Sequence, residues 1–78
     1  RCHGMDRRYV GPSFRQIADR YREQPDAANY LARTIRAGSV GVWGRTVMPR
    51  QPQVNEAQSS DMARWLLSLP PAQAAAPQ

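Results

Sequence analysis

The chain has almost none of the residues that staple a small protein. Among 78 residues there is one cysteine, Cys2, and one histidine, His3. A lone cysteine excludes an intrachain disulfide, and a lone Cys/His pair excludes a closed structural zinc site of the Cys/His kind. The two are adjacent, so they make no nucleophile–base dyad across a cleft. The 6 acidic residues are spread without a paired arrangement, which leaves hydrolytic acid–base chemistry unsupported. No apolar run approaches the ~20 residues of a membrane span. No signal peptide is visible, which says nothing about compartment. Lysine is absent altogether.

What is present in quantity is arginine. All 11 basic side chains are arginine, giving a net charge of +5 and a pI of about 10.7. Such a balance favours acidic partners: nucleic acid, an anionic membrane surface or an acidic protein face. An Arg-rich helical nucleic-acid module needs its arginines gathered on one helix face. Here Arg7, Arg8, Arg15, Arg20, Arg22, Arg33, Arg36, Arg45, Arg50 and Arg64 are scattered. The hydrophobic content of 41% is that of a globular chain. The length allows one domain, in which an apolar core alone is marginal.

Three segments carry helical periodicity. After Gly11-Pro12, Ser13 is a candidate N-cap, and Phe14, Ile17, Ala18 and Tyr21 recur at helical spacing, predicting a helix over 13–22. Asp26 reads as the N-cap of a second helix over 26–37, with Tyr30, Leu31, Thr34 and Ile35 as its stripe and Gly38 as its stop. Asn55 with Gln58 resembles a capping box. Met62, Trp65, Leu66 and Leu69 follow, predicting a third helix over 55–68 that Pro70-Pro71 ends. Gly38, Gly41, Gly44, Pro49 and Pro52 predict a long irregular loop over 38–53 with no strand. That loop nevertheless holds Val40, Val42, Trp43, Val47 and Met48, and a long apolar loop is usually functional or packed on something. Residues 70–78, rich in Pro, Ala and Gln, read as a tail or linker.

Cys2-His3 taken alone also reads as an inert thiol beside a surface imidazole. The alternative is the second half of C-x-x-C-H, the attachment site of c-type haem, with the first cysteine one residue before Arg1. An axial ligand opposite His3 would be distant in sequence and on a loop. Met5 is too near to reach the other face of the same iron. Met62 lies on the stripe of the last helix and reads as core filler. Met48, in the long loop and followed by Pro49, is the well-placed candidate. A haem would also account for the apolar loop and the missing staple.

Cys2-His3, Val10-Gly11-Pro12, the run from Ile35 to Gly44, Val47-Met48-Pro49 and the run from Ala63 to Leu69 occur in that order. In content and spacing they resemble small bacterial class I cytochromes c of the cytochrome c-551 type, over residues 1–69. The Gly-Ser-x-Gly-Val-Trp-Gly run with Met-Pro shortly after it is the specific part.

The resemblance implies an all-α class I cytochrome c fold, three to four short helices around one covalently attached haem c. It implies a thioether from Cys2, proximal ligation of iron by His3 and distal ligation by Met48. The Pro12 carbonyl would accept the other ring N–H of His3, and Trp43 would donate to a haem propionate. Ile35, Val47 and Pro49 fall in the matching haem-contacting stretches. Two departures stand out. The family often has a basic residue where this chain has Thr34, and Arg33 or Arg36 is the alternative source of that charge. The family's N-terminal helix and first haem cysteine would precede Arg1, so the chain reads as a fragment in which Trp65, Leu66 and Leu69 lack part of their covering surface.

The implied function is one-electron transfer, not enzymatic turnover, between respiratory partners with acidic docking faces. The implied setting is a bacterial periplasm, with the carrier a monomer that forms transient complexes and binds no nucleic acid. The tail leaves open a variant in which the chain is the haem domain of a larger redox enzyme.

Overall fold

Two reciprocal capping boxes set the starts of two helices. In the first, the Gln16 backbone N–H donates to Ser13 Oγ at 3.1 Å while the Ser13 N–H donates to Gln16 Oε1 at 2.8 Å. The second pairs Gln58 N–H with Asn55 Oδ1 at 2.8 Å and Asn55 N–H with Gln58 Oε1 at 3.0 Å. Each box satisfies two backbone donors that a helix start otherwise leaves orphaned. The computed structural model describes residues 2–71, and within it these caps open α1, Phe14–Tyr21, and α3, Glu56–Leu67. Between them lies α2, Ala27–Ala37. All three helices fall where the periodicity placed them.

Asp26 departs from its expected role. It occupies the N-cap position of α2 but in a left-handed conformation, φ 63°, and its carboxylate caps no backbone N–H. The carboxylate instead accepts from Asn29 Nδ2 at 2.7 Å.

The long loop also departs from expectation. Residues 38–53 contain an antiparallel hairpin of two short strands, β1, Ser39–Val40, and β2, Val47–Met48, in the register Ser39 opposite Met48 and Val40 opposite Val47. Gly38 makes this possible. Its φ is 78°, and a Cβ there would stand 2.5 Å from the Met48 carbonyl oxygen and 2.7 Å from the Arg50 nitrogen. The glycine thus serves twice: its N–H closes α2 on the Thr34 carbonyl at 2.7 Å, and its bare Cα lets β2 pass.

α3 packs against both α1 and α2. The buried core is Ile17 and Tyr21 from α1, Ala27, Leu31 and Ala32 from α2, and Ala63 and Leu66 from α3, with Phe14, Trp43 and Leu69 packed against it. Leu66 is therefore covered, contrary to the expectation that it lacks partner surface. Arg22 Nη2 donates to the Leu69 carbonyl at 2.5 Å and Arg15 Nη1 to the Pro70 carbonyl at 3.0 Å, fastening the end of α3 to α1. Met62, expected as core filler, is 44% exposed, and so is Trp65. The stripe of α3 splits because one edge meets the core and the other edge meets a cavity. The expected tail lies outside the described residues except for Pro70 and Pro71.

Candidate cofactor site

The cavity has a volume of about 470 Å³ and is enclosed by the loop before α1, all three helices and the hairpin. Its wall includes Cys2, His3, Pro12, Ile35, Trp43, Val47, Met48 and Pro49, so every residue singled out from the sequence meets at one place. Those residues span two distant stretches of chain, joined across the cavity by the packing of the helices.

The segment before α1 holds His3 by backbone contacts. Gly11 N–H donates to the Cys2 carbonyl at 2.8 Å and Phe14 N–H to the Gly4 carbonyl at 2.8 Å, closing a tight loop. Within it, His3 Nδ1 lies 2.6 Å from the Pro12 carbonyl oxygen. A carbonyl only accepts, so Nδ1 carries a hydrogen, and in the neutral imidazole the lone pair is then on Nε2. The imidazole is stacked on Phe14, 5.5 Å between ring centroids and 22° between planes. On its other side Gly11 leaves no room for a side chain: a Cβ there would stand 2.8 Å from His3 Cε1. Phe14 in turn meets Trp65 edge-on at 5.4 Å. The backbone bond thus commits Nδ1, and the packing holds the ring in place.

Met48 reaches the cavity from β2 and is half-buried. Its thioether is a soft donor, matched to iron in a macrocycle rather than to a hard cation. Among the described residues no group of His, Cys, Asp and Glu is built to hold a bare metal ion. One imidazole with a fixed tautomer, one thioether, one exposed cysteine and an apolar wall fit a haem that brings its own equatorial nitrogens.

The two faces of α2 differ in charge. Tyr30, Leu31, Thr34 and Ile35 face the cavity, whereas Arg33 and Arg36 line a separate hollow with Asn29 and Glu56. Arg36 donates to Ser59 Oγ at 2.7 Å. Neither arginine replaces the basic residue expected at Thr34, whose hydroxyl donates to the Tyr30 carbonyl at 2.9 Å. The cationic side chain on the wall is Arg8, which donates to the Trp43 carbonyl at 3.3 Å.

Sequence reasoning missed the aromatic wall. Phe14, Tyr21 and Tyr30 line the cavity, although the helical stripes marked them only as core. Tyr21 is buried and its phenol is held above the usual range. Burial is the main cause and the neighbouring Tyr30 adds to it, while Arg20 and a hydrogen bond with Trp43 act the other way. Arg20 was visible only as one of many scattered charges. Its guanidinium lies 4.4 Å from the Trp43 ring centroid and donates to the Val42 carbonyl at 3.1 Å.

A helical fold of this kind around a His/Met-lined apolar cavity defines a class I cytochrome c. The family model for cytochrome c matches residues 1–70, and the chain belongs to the cytochrome c family. Proteins of this family carry covalently attached haem c and transfer electrons; they are not enzymes. Among relatives, cytochrome c-552 of Nitrosomonas europaea is 43% identical over 68 residues, covering 87% of this chain and 66% of the relative. Cytochrome c-552 of Hydrogenobacter thermophilus is 40% identical, covering 87% of this chain and 68% of the relative. Cytochrome c-551 of Azotobacter vinelandii is 42% identical over 67 residues, covering 86% and 80%. The chain thus spans about two thirds of the length of the first two. The crystal structure of the Nitrosomonas europaea cytochrome superposes with a TM-score of 0.85 at 42% identity, covering 88% of this chain and 85% of that one.

Proposed function

We propose that the chain is the haem unit, residues 1–69, of a one-electron carrier whose iron is held between His3 and Met48. The observation that carries this reading is the His3–Pro12 hydrogen bond, which commits Nδ1 to the backbone and leaves Nε2 as the ring's ligating nitrogen beside a cavity that Met48 also lines. Bound haem supplies a one-electron iron couple, and Cys2 would anchor it through a thioether. The protein's own residues do the rest. Pro12 fixes the imidazole ring and raises its basicity. Met48 would hold the iron through its thioether, a donor that favours reduced iron and raises the potential. With His3 and Met48 both bound, no open site would remain for substrate. Leu31, Val54 and Leu66 help keep water from the cavity, so little solvent has to reorganise when the charge changes.

The arginines support docking to acidic faces of respiratory redox partners. Arg8 and Arg20 sit beside the Trp43 edge of the cavity, where positive charge would steer an acidic partner to the cofactor. Weak, fast, salt-sensitive contacts by a monomer in a bacterial periplasm fit this surface. Among the described residues no helix is long and apolar enough to cross a membrane. The direct test is the optical spectrum of the haem-loaded protein with and without Met48→Ala. Loss of the sulfur-to-iron charge-transfer band on substitution supports Met48 as ligand; its persistence rejects that assignment. Neglect of DNA at low salt would separate this carrier from an Arg-rich nucleic-acid binder.

A further inference from the structure

Three hydrogen-bonding side chains from three elements meet on one wall of the cavity. Tyr21 ends α1, Tyr30 belongs to α2 and Trp43 to the loop between β1 and β2. The Tyr21 ring centroid lies 5.3 Å from that of Tyr30 and 6.5 Å from that of Trp43. All three side chains line the cavity. An indole N–H only donates, and each phenol has one proton to give.

The charged surroundings of this cluster are all of one kind. From α1 the Arg20 guanidinium lies 5.4 Å from the Tyr21 ring centroid and 4.4 Å from that of Trp43. From the loop before α1 comes Arg8, which donates to the Trp43 carbonyl. α2 contributes the neutral Thr34, and the α3 residues on the wall, Met62, Trp65 and Leu66, are uncharged. No carboxylate of the described chain lines the cavity. Converging donors, flanking cations and no acid make a receptor for a carboxylate. Haem carries two such groups as propionates, and position 34 lacks the cation that would neutralise one.

We propose that the hydroxyls of Tyr21 and Tyr30 join Trp43 in binding a haem propionate, doing with hydrogen bonds what a basic residue at Thr34 would do with charge. This role presupposes the haem site proposed above and names two positioning residues within it.

The test uses the haem-loaded chain and Tyr21→Phe and Tyr30→Phe. The midpoint potential is followed against pH, where propionate ionisation appears as a step. Each lost donor disfavours the carboxylate, so the step is expected to move up by about half a pH unit or more. Adding Thr34→Arg to Tyr30→Phe should bring it back down. In the unaltered protein, nuclear Overhauser contacts are expected between both tyrosine rings and the propionate methylenes, a readout independent of how the variants fold. A step that stays put in both variants, or the absence of those contacts, overturns the proposal. A wild-type chain that holds no haem fails earlier and rejects the haem site itself.

Discussion

His3 Nδ1 and the Pro12 carbonyl oxygen stand 2.6 Å apart, and Gly11, the residue before Pro12, packs against the same imidazole. The glycine presses against the imidazole with no side chain in between. In Gly11→Ala the new Cβ would lie 2.8 Å from His3 Cε1, so the ring or the loop must move. Overpacking of this kind costs about 1–3 kcal/mol. Denaturant unfolding should show that loss, and the sulfur-to-iron band of the haem-loaded protein should weaken with it. A variant as stable as the parent would mean that the loop yields freely.

Gly38→Ala should do more damage. Its Cβ would meet backbone, the Met48 carbonyl at 2.5 Å and the Arg50 nitrogen at 2.7 Å, and its φ of 78° strains any L side chain. Neither neighbour is a flexible tip that can swing aside. The hairpin must shift, carrying Met48 with it. The expected outcome is a fall in stability larger than for Gly11→Ala, together with loss of the Met48 signature in the spectrum of the oxidised protein.

The two kinds of N-cap give opposite expectations. Asn55→Ala removes one half of a reciprocal box and should cost about 1 kcal/mol. Asp26→Gly should instead be neutral or stabilising, because Asp26 caps no backbone donor and holds a left-handed φ that glycine adopts without penalty. Thermal unfolding of the two variants side by side decides this; equal losses would show that the Asp26–Asn29 contact matters more than the backbone strain.

These contrasts show what the sequence makes legible and where it stops. Helix starts at Ser13 and Asn55 are readable because a capping box is a local code, complete within four residues. The proposed ligand pair, His3 and Met48, is readable from residue type and spacing. The hairpin is not, since strands of two residues are too short for a period-2 pattern, and its glycines look like breakers when they are its hinges. The split stripe of α3 is also hidden. Met62 and Leu66 share a helical face and both line the cavity, yet Met62 is exposed while Leu66 is also buried in the core, and only the assembled helices distinguish them. The Tyr21–Tyr30 contact joins two helices through the turn at 22–26, and no periodicity within either helix announces it.

Thr34→Arg tests the electrostatics of the α2 wall. Thr34 faces the cavity while Arg33 and Arg36 face away, so the substitution adds the one positive charge that α2 does not supply there. A cation near the cofactor stabilises the reduced, less positive iron. The midpoint potential should rise by some tens of millivolts, less at high salt because the site opens to solvent. An unchanged or lowered potential removes the idea that position 34 governs neutralisation of the propionate.

Tyr21 supplies a prediction at alkaline pH. Its phenol is held above the ordinary range by burial first, then by Tyr30, so the folded chain keeps this proton after the unfolded chain has released it. In that interval the native state binds more protons than the unfolded state, and stability must fall as pH rises. The contribution is intact below the ordinary phenol value of about 10 and disappears as pH climbs through the raised value of the folded protein. Tyr21→Phe removes the proton from both states. Its stability should decline less steeply above pH ~10. Denaturant midpoints measured from neutral to strongly alkaline pH compare the two slopes. Parallel curves would mean that the Tyr21 hydroxyl is not held neutral by the fold.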